Sequence, residues 1–218
     1  TALPNINGSL SYSRIFNMFD NDFGVVASVN YNNAYSYDSF SRALLFSNGI
    51  DKEYEGSGIE NIFSTTLGGL LNLAYKINND NTISFKNIFN NTGDYNVTQL
   101  IGRRQETHLM QMSMDYIQKT MYTGQLEGSH LLGFNNSVLV WKAGYSKSLR
   151  AEPDLRRIRY SRNDTTLPYR LDIYNLPQGN GTQAGRFFSN LDEDAFSGGL
   201  DYKFSLGNFS FNSFTTST

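Results

Sequence analysis

Side chains along this chain alternate in hydrophobicity with a period of two. In Ile6-Asn7-Gly8-Ser9-Leu10-Ser11-Tyr12-Ser13 the apolar or small residues hold the even positions, and Asn or Ser the odd ones. Phe23, Val25, Ala27, Val29, Tyr31 and Tyr35 alternate with Gly24, Ser28, Asn30, Asn32, Ala34 and Ser36. Phe63, Leu67, Leu71, Leu73, Tyr75 and Ile77 oppose Ser64, Thr66, Gly68, Asn72, Ala74 and Lys76, and Ile83, Phe85 and Phe89 oppose Ser84, Lys86 and Asn90. A period of two places successive side chains on opposite faces of a strand, whereas a helix repeats its apolar positions at three-and-four spacing. The pattern predicts strands with one apolar and one polar face.

Between His108 and His130 the phase barely breaks. Met110, Met112, Met114, Tyr116, Thr120, Tyr122 and Leu126 share one side, and Gln111, Ser113, Asp115, Lys119, Thr123, Gln125 and Glu127 the other. Globular strands usually run about 3–10 residues. Gln118-Lys119-Thr120 lacks the Gly, Asn or Pro of a tight turn, so one long strand is predicted. Leu139, Trp141, Ala143 and Tyr145 then alternate with Val138, Val140, Lys142 and Gly144, and Phe196 to Phe204 repeat the pattern. An eighth strand begins at Phe209 and Phe211.

The connections fall into two classes. Short turn-forming clusters lie near 20–22, 78–81, 133–136 and 206–208. Long polar connections are expected near 38–61, 92–104 and 149–185. Short turns at one end and long loops at the other are the arrangement of an antiparallel outer-membrane β-barrel, with lipid on the apolar face and water on the polar one. A soluble β-sandwich or barrel accommodates the same alternation. The polar face, rich in Ser, Asn, Thr, Gln and Gly rather than Lys and Glu, favours the membrane alternative, as do the strand lengths. Arg14 and Asn87 fall on the apolar phase. Arg14 is near a strand end where it can snorkel, and Asn87 is unexplained by the pattern.

Composition sharpens this. Aromatics are 14% of 218 residues, with 14 Tyr and 16 Phe, and charged residues only 17%, against about 25% in soluble domains. Tyr and Phe suit the interfacial girdles of a barrel. A net charge of −2 argues against a nucleic-acid partner, which requires a basic excess. The absence of Cys excludes disulfides and thiolate chemistry, and two His supply a metal centre or catalytic triad poorly. No window of about 18 apolar residues could form a spanning helix, and no stretch reads as a signal peptide.

Several segments carry a family resemblance. Leu3-Pro4-Asn5 to Tyr12, followed by Phe23-Gly24-Val25 to Tyr31, resembles the early barrel strands of TonB-dependent outer-membrane receptors of the Bacteroidetes type. Gln125-Leu126-Glu127-Gly128-Ser129-His130 followed by Val140-Trp141-Lys142-Ala143-Gly144-Tyr145-Ser146 is similar to a further barrel region. So are the segment from Glu152 to Tyr160 and the segment from Gly185 to Glu193. The resemblance implies a bacterial outer-membrane location, a barrel of about 22 strands with a plugged lumen, and active import of a scarce nutrient such as an iron chelate. It further implies outer-membrane lipid, lipopolysaccharide, the TonB complex and a surface lipoprotein as partners. At about 27 residues per strand, 22 strands need roughly 600 residues. The chain is therefore expected to be an incomplete segment of about eight strands, without plug or TonB-contacting part. A porin-like passive or structural barrel and a soluble β-rich binding module are the alternatives.

Candidate chemistry is sparse, and no catalytic, cofactor or metal constellation emerges. Arg150, Arg156, Arg157, Arg159, Arg162 and Arg170 place six of the 18 basic residues in one connection. Clustered guanidinium groups attract an anionic ligand or lipopolysaccharide phosphates; the competing reading is that Glu152, Asp154, Asp164 and Asp172 neutralise them in an extended hairpin. Asp115, Lys119, Glu127, Lys142, Asp201 and Lys203 fall on the lumen-facing phase, as a substrate path or as mutual ion pairs. Tyr95, Tyr169 and Tyr174 are loop aromatics able to stack on a ligand. Asp20-Asn21-Asp22 lacks the glutamate of a calcium loop and reads as a turn. Gly68-Gly69 and Gly198-Gly199 precede no helix, so they are not phosphate loops. Ser129 and His130, adjacent on a strand, point to opposite faces and make no catalytic pair.

Overall fold

The computed structural model of the chain describes residues 4–47, 49–134, 136–172, 184–206 and 209–211. Alternation becomes strand throughout: β1 (Ile6–Met18), β2 (Asn21–Leu45), β3 (Lys52–Lys76), β4 (Asn81–Arg104), β5 (Thr107–Leu132), β6 (Ser137–Arg162), β7 (Arg170–Leu171), β8 (Gly185–Leu206) and β9 (Phe209–Phe211). Eight of them form one antiparallel sheet in sequence order, with the two-residue β7 attached to β6. The sheet is open, β1 and β9 lying at the two ends of its path. No helix and no second sheet layer is present among the described residues.

The segment from His108 to His130 is one strand, as its phase required: β5 has 26 residues. Its register on β6 shifts once, between Met114 and Gln118, opposite the Glu152–Leu155 irregularity. This is a bulge, which lets both strands run on without a turn.

The long loops expected near 38–61 and 92–104 are mostly ladder. β2 continues to Leu45 and β3 begins at Lys52, leaving residues 46–51 as the connection. β4 reaches Arg104 and joins β5 through Gln105 and Glu106, with Gln105 at φ 53°. Both faces carry polar side chains there, so the one-sided alternation fades while backbone pairing continues. Of 149–185, residues 149–162 are strand, and 173–183 lie outside the described residues. At the opposite end, hereafter the turn end, Phe19 and Asp20 make a two-residue hairpin with φ of 54° and 61°. Two positive φ values match the twist of the flanking strands. Asn21 and Asp22 already belong to β2. The turn expected at 206–208 centres on residues outside those described.

In-register partners share a face, so the pairing sorts side chains into two surfaces. One row of the apolar face runs Phe16, Phe23, Tyr75, Ile83, Gly128, Trp141 and Leu200. This face is uncovered. Leu71 and Phe196 are 42% and 77% exposed, and Leu67, Phe85, Leu126 and Leu200 are exposed as well. Among the described residues the buried hydrophobic core is confined to Tyr54, Leu100 and Leu109.

Two exceptions on the apolar face have local explanations. Arg14 lays its guanidinium over the Phe16 ring, 5.2 Å from the centroid. Asn87 accepts a hydrogen bond from the Tyr122 hydroxyl at 2.7 Å and donates to the Leu71 carbonyl at 3.3 Å. Its amide is thus satisfied on both sides. Near the turn end, Trp141 covers Gly128, whose missing side chain leaves room for the indole. The Trp141 Nε1–H donates to His130 Nε2 at 2.9 Å, so His130 carries its proton on Nδ1 and donates to Asn81 Oδ1 at 2.6 Å.

Candidate functional site

The polar face carries all six residues expected to line a lumen. Glu127 and Lys142 are register partners, as are Lys119 and Arg150. Asp115 shares their face through its pairing with Asn96 on β4, and Asp201 and Lys203 lie opposite Val140 and Val138. Glu127 accepts from Lys86 Nζ at 2.9 Å. Asp115 Oδ1 is buried and without a hydrogen-bond partner among the described residues. The six occupy one surface but are strung along it rather than gathered into a site.

The arginine cluster divides. Arg150, Arg157 and Arg159 lie on the polar face through their partners Lys119, Ser113 and Gln111; Arg156 and Arg162 lie on the other, opposite Met114 and His108. Arg170, on β7, pairs with Ser161. Most of these guanidiniums have local acceptors. Arg150 meets Glu152 at 3.2 Å and Arg159 meets Asp172 at 3.1 Å. Arg162 donates to the Thr165 carbonyl at 3.0 Å and stacks on Tyr169, its Cζ 4.3 Å from the ring centroid. Asp154 bridges Arg156 and Arg186, and the hydrogen bonds from Arg186 and then Arg156 hold its carboxyl well below the usual carboxylate range. Asp164, expected to neutralise an arginine, instead caps its own turn: hydrogen bonds from the Thr166 amide and hydroxyl lower its pKa.

A more concentrated feature lies at the end of the sheet away from the turn end, the distal end, in segments expected to be loops. Phe40 and Arg42 on β2, Tyr54 on β3, Leu100 on β4, Leu109 and Gln111 on β5 and Arg159 on β6 share the polar face. Tyr54, Leu100 and Leu109 are 7%, 7% and 2% exposed, with Phe40 packed against them. Gly56 and Gly102 make this possible: a Cβ at either would collide with the Tyr54 hydroxyl. Two adjoining depressions of about 280 and 320 Å³ open above this floor, both lined by Arg42, Leu100, Gln111 and Arg159. Arg157 joins the first, and Arg104, paired with Glu53, the second. The sequence signal was present as an alternation of Phe40, Arg42 and Leu44 facing Gly-rich partners. It was missed because so short an apolar patch sits among polar residues.

On the apolar face, a belt of polar side chains bounds the apolar zone. Asn33 pairs with Thr65 on β2–β3; Asn91 with Thr120 on β4–β5; Lys147 with Asp194 on β6–β8. Each pair sits two residues nearer the turn end than the one before. Four residues over four strand spacings is about 13 Å against about 19 Å, so the belt is inclined by about 35° to the perpendicular of the strands. Between belt and turn end each of β2 to β6 and β8 presents a mainly apolar stretch of about 9–11 residues, the length of a tilted membrane-crossing strand. Beyond the belt, Val97, Ile101, Met110, Met112 and Met114 make a second apolar strip. Compared with known proteins, the chain matches no family model, no curated protein and no solved structure.

Proposed function

We propose that the chain is a portion of an outer-membrane β-barrel, and that this barrel belongs to a TonB-dependent active transporter importing a scarce nutrient. The observation that carries the membrane half is the uncovered apolar face, bounded by an inclined polar belt. A single sheet with that face in water has nothing to bury it against. Hydrocarbon covers it without a second layer, and the inclination of about 35° agrees with the 35–45° tilt of barrel strands. The polar face then lines a watery lumen with Glu127, Lys142 and their neighbours, and the distal halves of the strands project past the bilayer. The transporter half rests on the sequence resemblance.

The chain has no Cys, so single cysteines placed in it report cleanly once any cysteine elsewhere in the protein is replaced by Ser. In the full-length protein in bacterial outer membranes, Cys at Leu71, Leu73 and Ala143 should react with a lipid-soluble maleimide and resist a charged one. Cys at Ser84, Gln125 and Lys142 should react with the charged reagent. Uniform reaction with the charged reagent at both sets refutes the membrane assignment. Ligand uptake that persists without an energised inner membrane, or vesicle swelling in small sugars, would indicate a passive channel instead.

A further inference from the structure

We propose that the distal pocket over Phe40, Tyr54, Leu100 and Leu109 binds a compact organic anion, its charged group held by Arg42 and Arg159 and its apolar body on the aromatic floor. Two independent features converge there. The Tyr54 hydroxyl belongs to a side chain more than nine-tenths buried, yet has no hydrogen-bond partner among the described residues. A buried phenol left unsatisfied is costly unless an acceptor arrives. Arg42 and Arg159 both act electrostatically on that hydroxyl. Arg159 is engaged by Asp172, but Arg42 has no carboxylate within ion-pair distance among the described residues; its guanidinium lies 5.9 Å from the Phe40 ring centroid. Of the arginines lining the two depressions, Arg104 pairs with Glu53 and Arg159 with Asp172, which leaves the Arg42 charge over the aromatic floor.

The chemistry follows from the donors. Arg42 and the Tyr54 hydroxyl both donate, and the Gln111 amide stands beside them, so the complementary group is a carboxylate or phosphate oxygen. Depressions of about 280 and 320 Å³ suit a one- or two-ring body rather than an acyl chain. The site lies on the polar face, away from the lipid side. The inference deepens the transporter reading and rests on it only for the direction from which the ligand arrives.

The test uses the purified full-length protein with three probes: 2-naphthoate, neutral 2-naphthamide and inorganic phosphate. Naphthoate should bind about tenfold more tightly than either of the others, because only it offers both charge and ring. Arg42→Gln should erase the preference over naphthamide, Arg42→Lys should retain part of it, and Tyr54→Phe should weaken naphthoate about threefold. Arg14→Gln, on the opposite face, should change nothing. Circular dichroism identifies a variant that has lost the sheet; Arg159→Lys then serves as the second probe of the charged group. Equal binding of naphthoate and naphthamide, no naphthoate binding, or wild-type preference in folded Arg42→Gln overturns the proposal. Tighter, Arg42-dependent binding of dodecyl phosphate would make this a lipid-headgroup site and also overturn it. Cysteine labelling that refutes the membrane assignment leaves this titration decisive by itself.

Discussion

Leu70 and Leu71 are the same residue at adjacent positions of β3, and the sheet sends them to opposite faces. Leu71 lies in register with Ala27 and Asn87 on the apolar face, between Tyr75 and the Asn33–Thr65 belt; Leu70 lies with Ser28 and Ile88 on the polar one. Replacing each by Arg gives two variants of identical composition. At the bilayer midplane an outward Arg costs about 2–4 kcal/mol, whereas a substitution on a solvated face usually changes stability by about 0.5 kcal/mol or less. The difference of about 2 kcal/mol corresponds to roughly a 30-fold change in folding equilibrium. Denaturant unfolding of the full-length protein in lipid vesicles measures it, as a lower midpoint for Leu71→Arg than for Leu70→Arg at unchanged slope. Equal midpoints, or the reverse order, refute the assignment of faces. Cooperative folding of both variants in buffer without vesicles, in the same order, refutes the lipid and leaves only the two-faced sheet.

Three further outcomes follow from local geometry. Tyr122→Phe strands the Asn87 amide oxygen and should cost about 1–3 kcal/mol, while adding Asn87→Leu should recover most of it, since removing both partners leaves nothing unsatisfied; a double-mutant cycle in vesicles reads this. Trp141→Ala uncovers Gly128 and removes the donor to His130 Nε2, so it should destabilise by about 1–3 kcal/mol, more than Trp141→Phe, which keeps the ring. The Asp154 bridge to Arg156 and Arg186 titrates in a definite direction. Its folded pKa is depressed by those guanidiniums, so its contribution is present above the unfolded value of about 3.9 and is lost as pH falls through the lower folded one. Asp154→Asn should therefore accelerate amide exchange at Arg186 and Phe187 at neutral pH, and an unchanged exchange rate there would contradict the bridge.

How far the fold was legible depended on whether a strand had a dry face. For Phe63 to Tyr75 and for Met110 to Leu126 the alternation was enough to place the side chains on their faces, because one face differed in polarity from the other, whereas Ile77 lies in the turn after β3. The segments 38–61 and 92–104 read as loops for the converse reason. Ser39, Ser41, Ser57 and Gln99 on one face oppose Arg42, Gly58, Glu60 and Thr98 on the other. Backbone pairing does not depend on side-chain polarity, so the ladder continued where the pattern did not. The candidate pocket was hidden by the same effect. Its floor is drawn from four strands, and Arg42 and Arg159 are separated by most of the chain until β2 to β6 are laid side by side.

Local sequence alone determined the strand identity of the alternating segments, their two-faced character and the single long strand β5, since each depends on residues within a few positions of one another. Register decided the rest. It sorted the six arginines onto two faces, gave Asn87 its partner Tyr122, inclined the polar belt across the strands and set the unpartnered Tyr54 hydroxyl beside Arg42. Those relations join residues 12 or more positions apart on different strands, and only hydrogen bonding between strands fixes which ones meet.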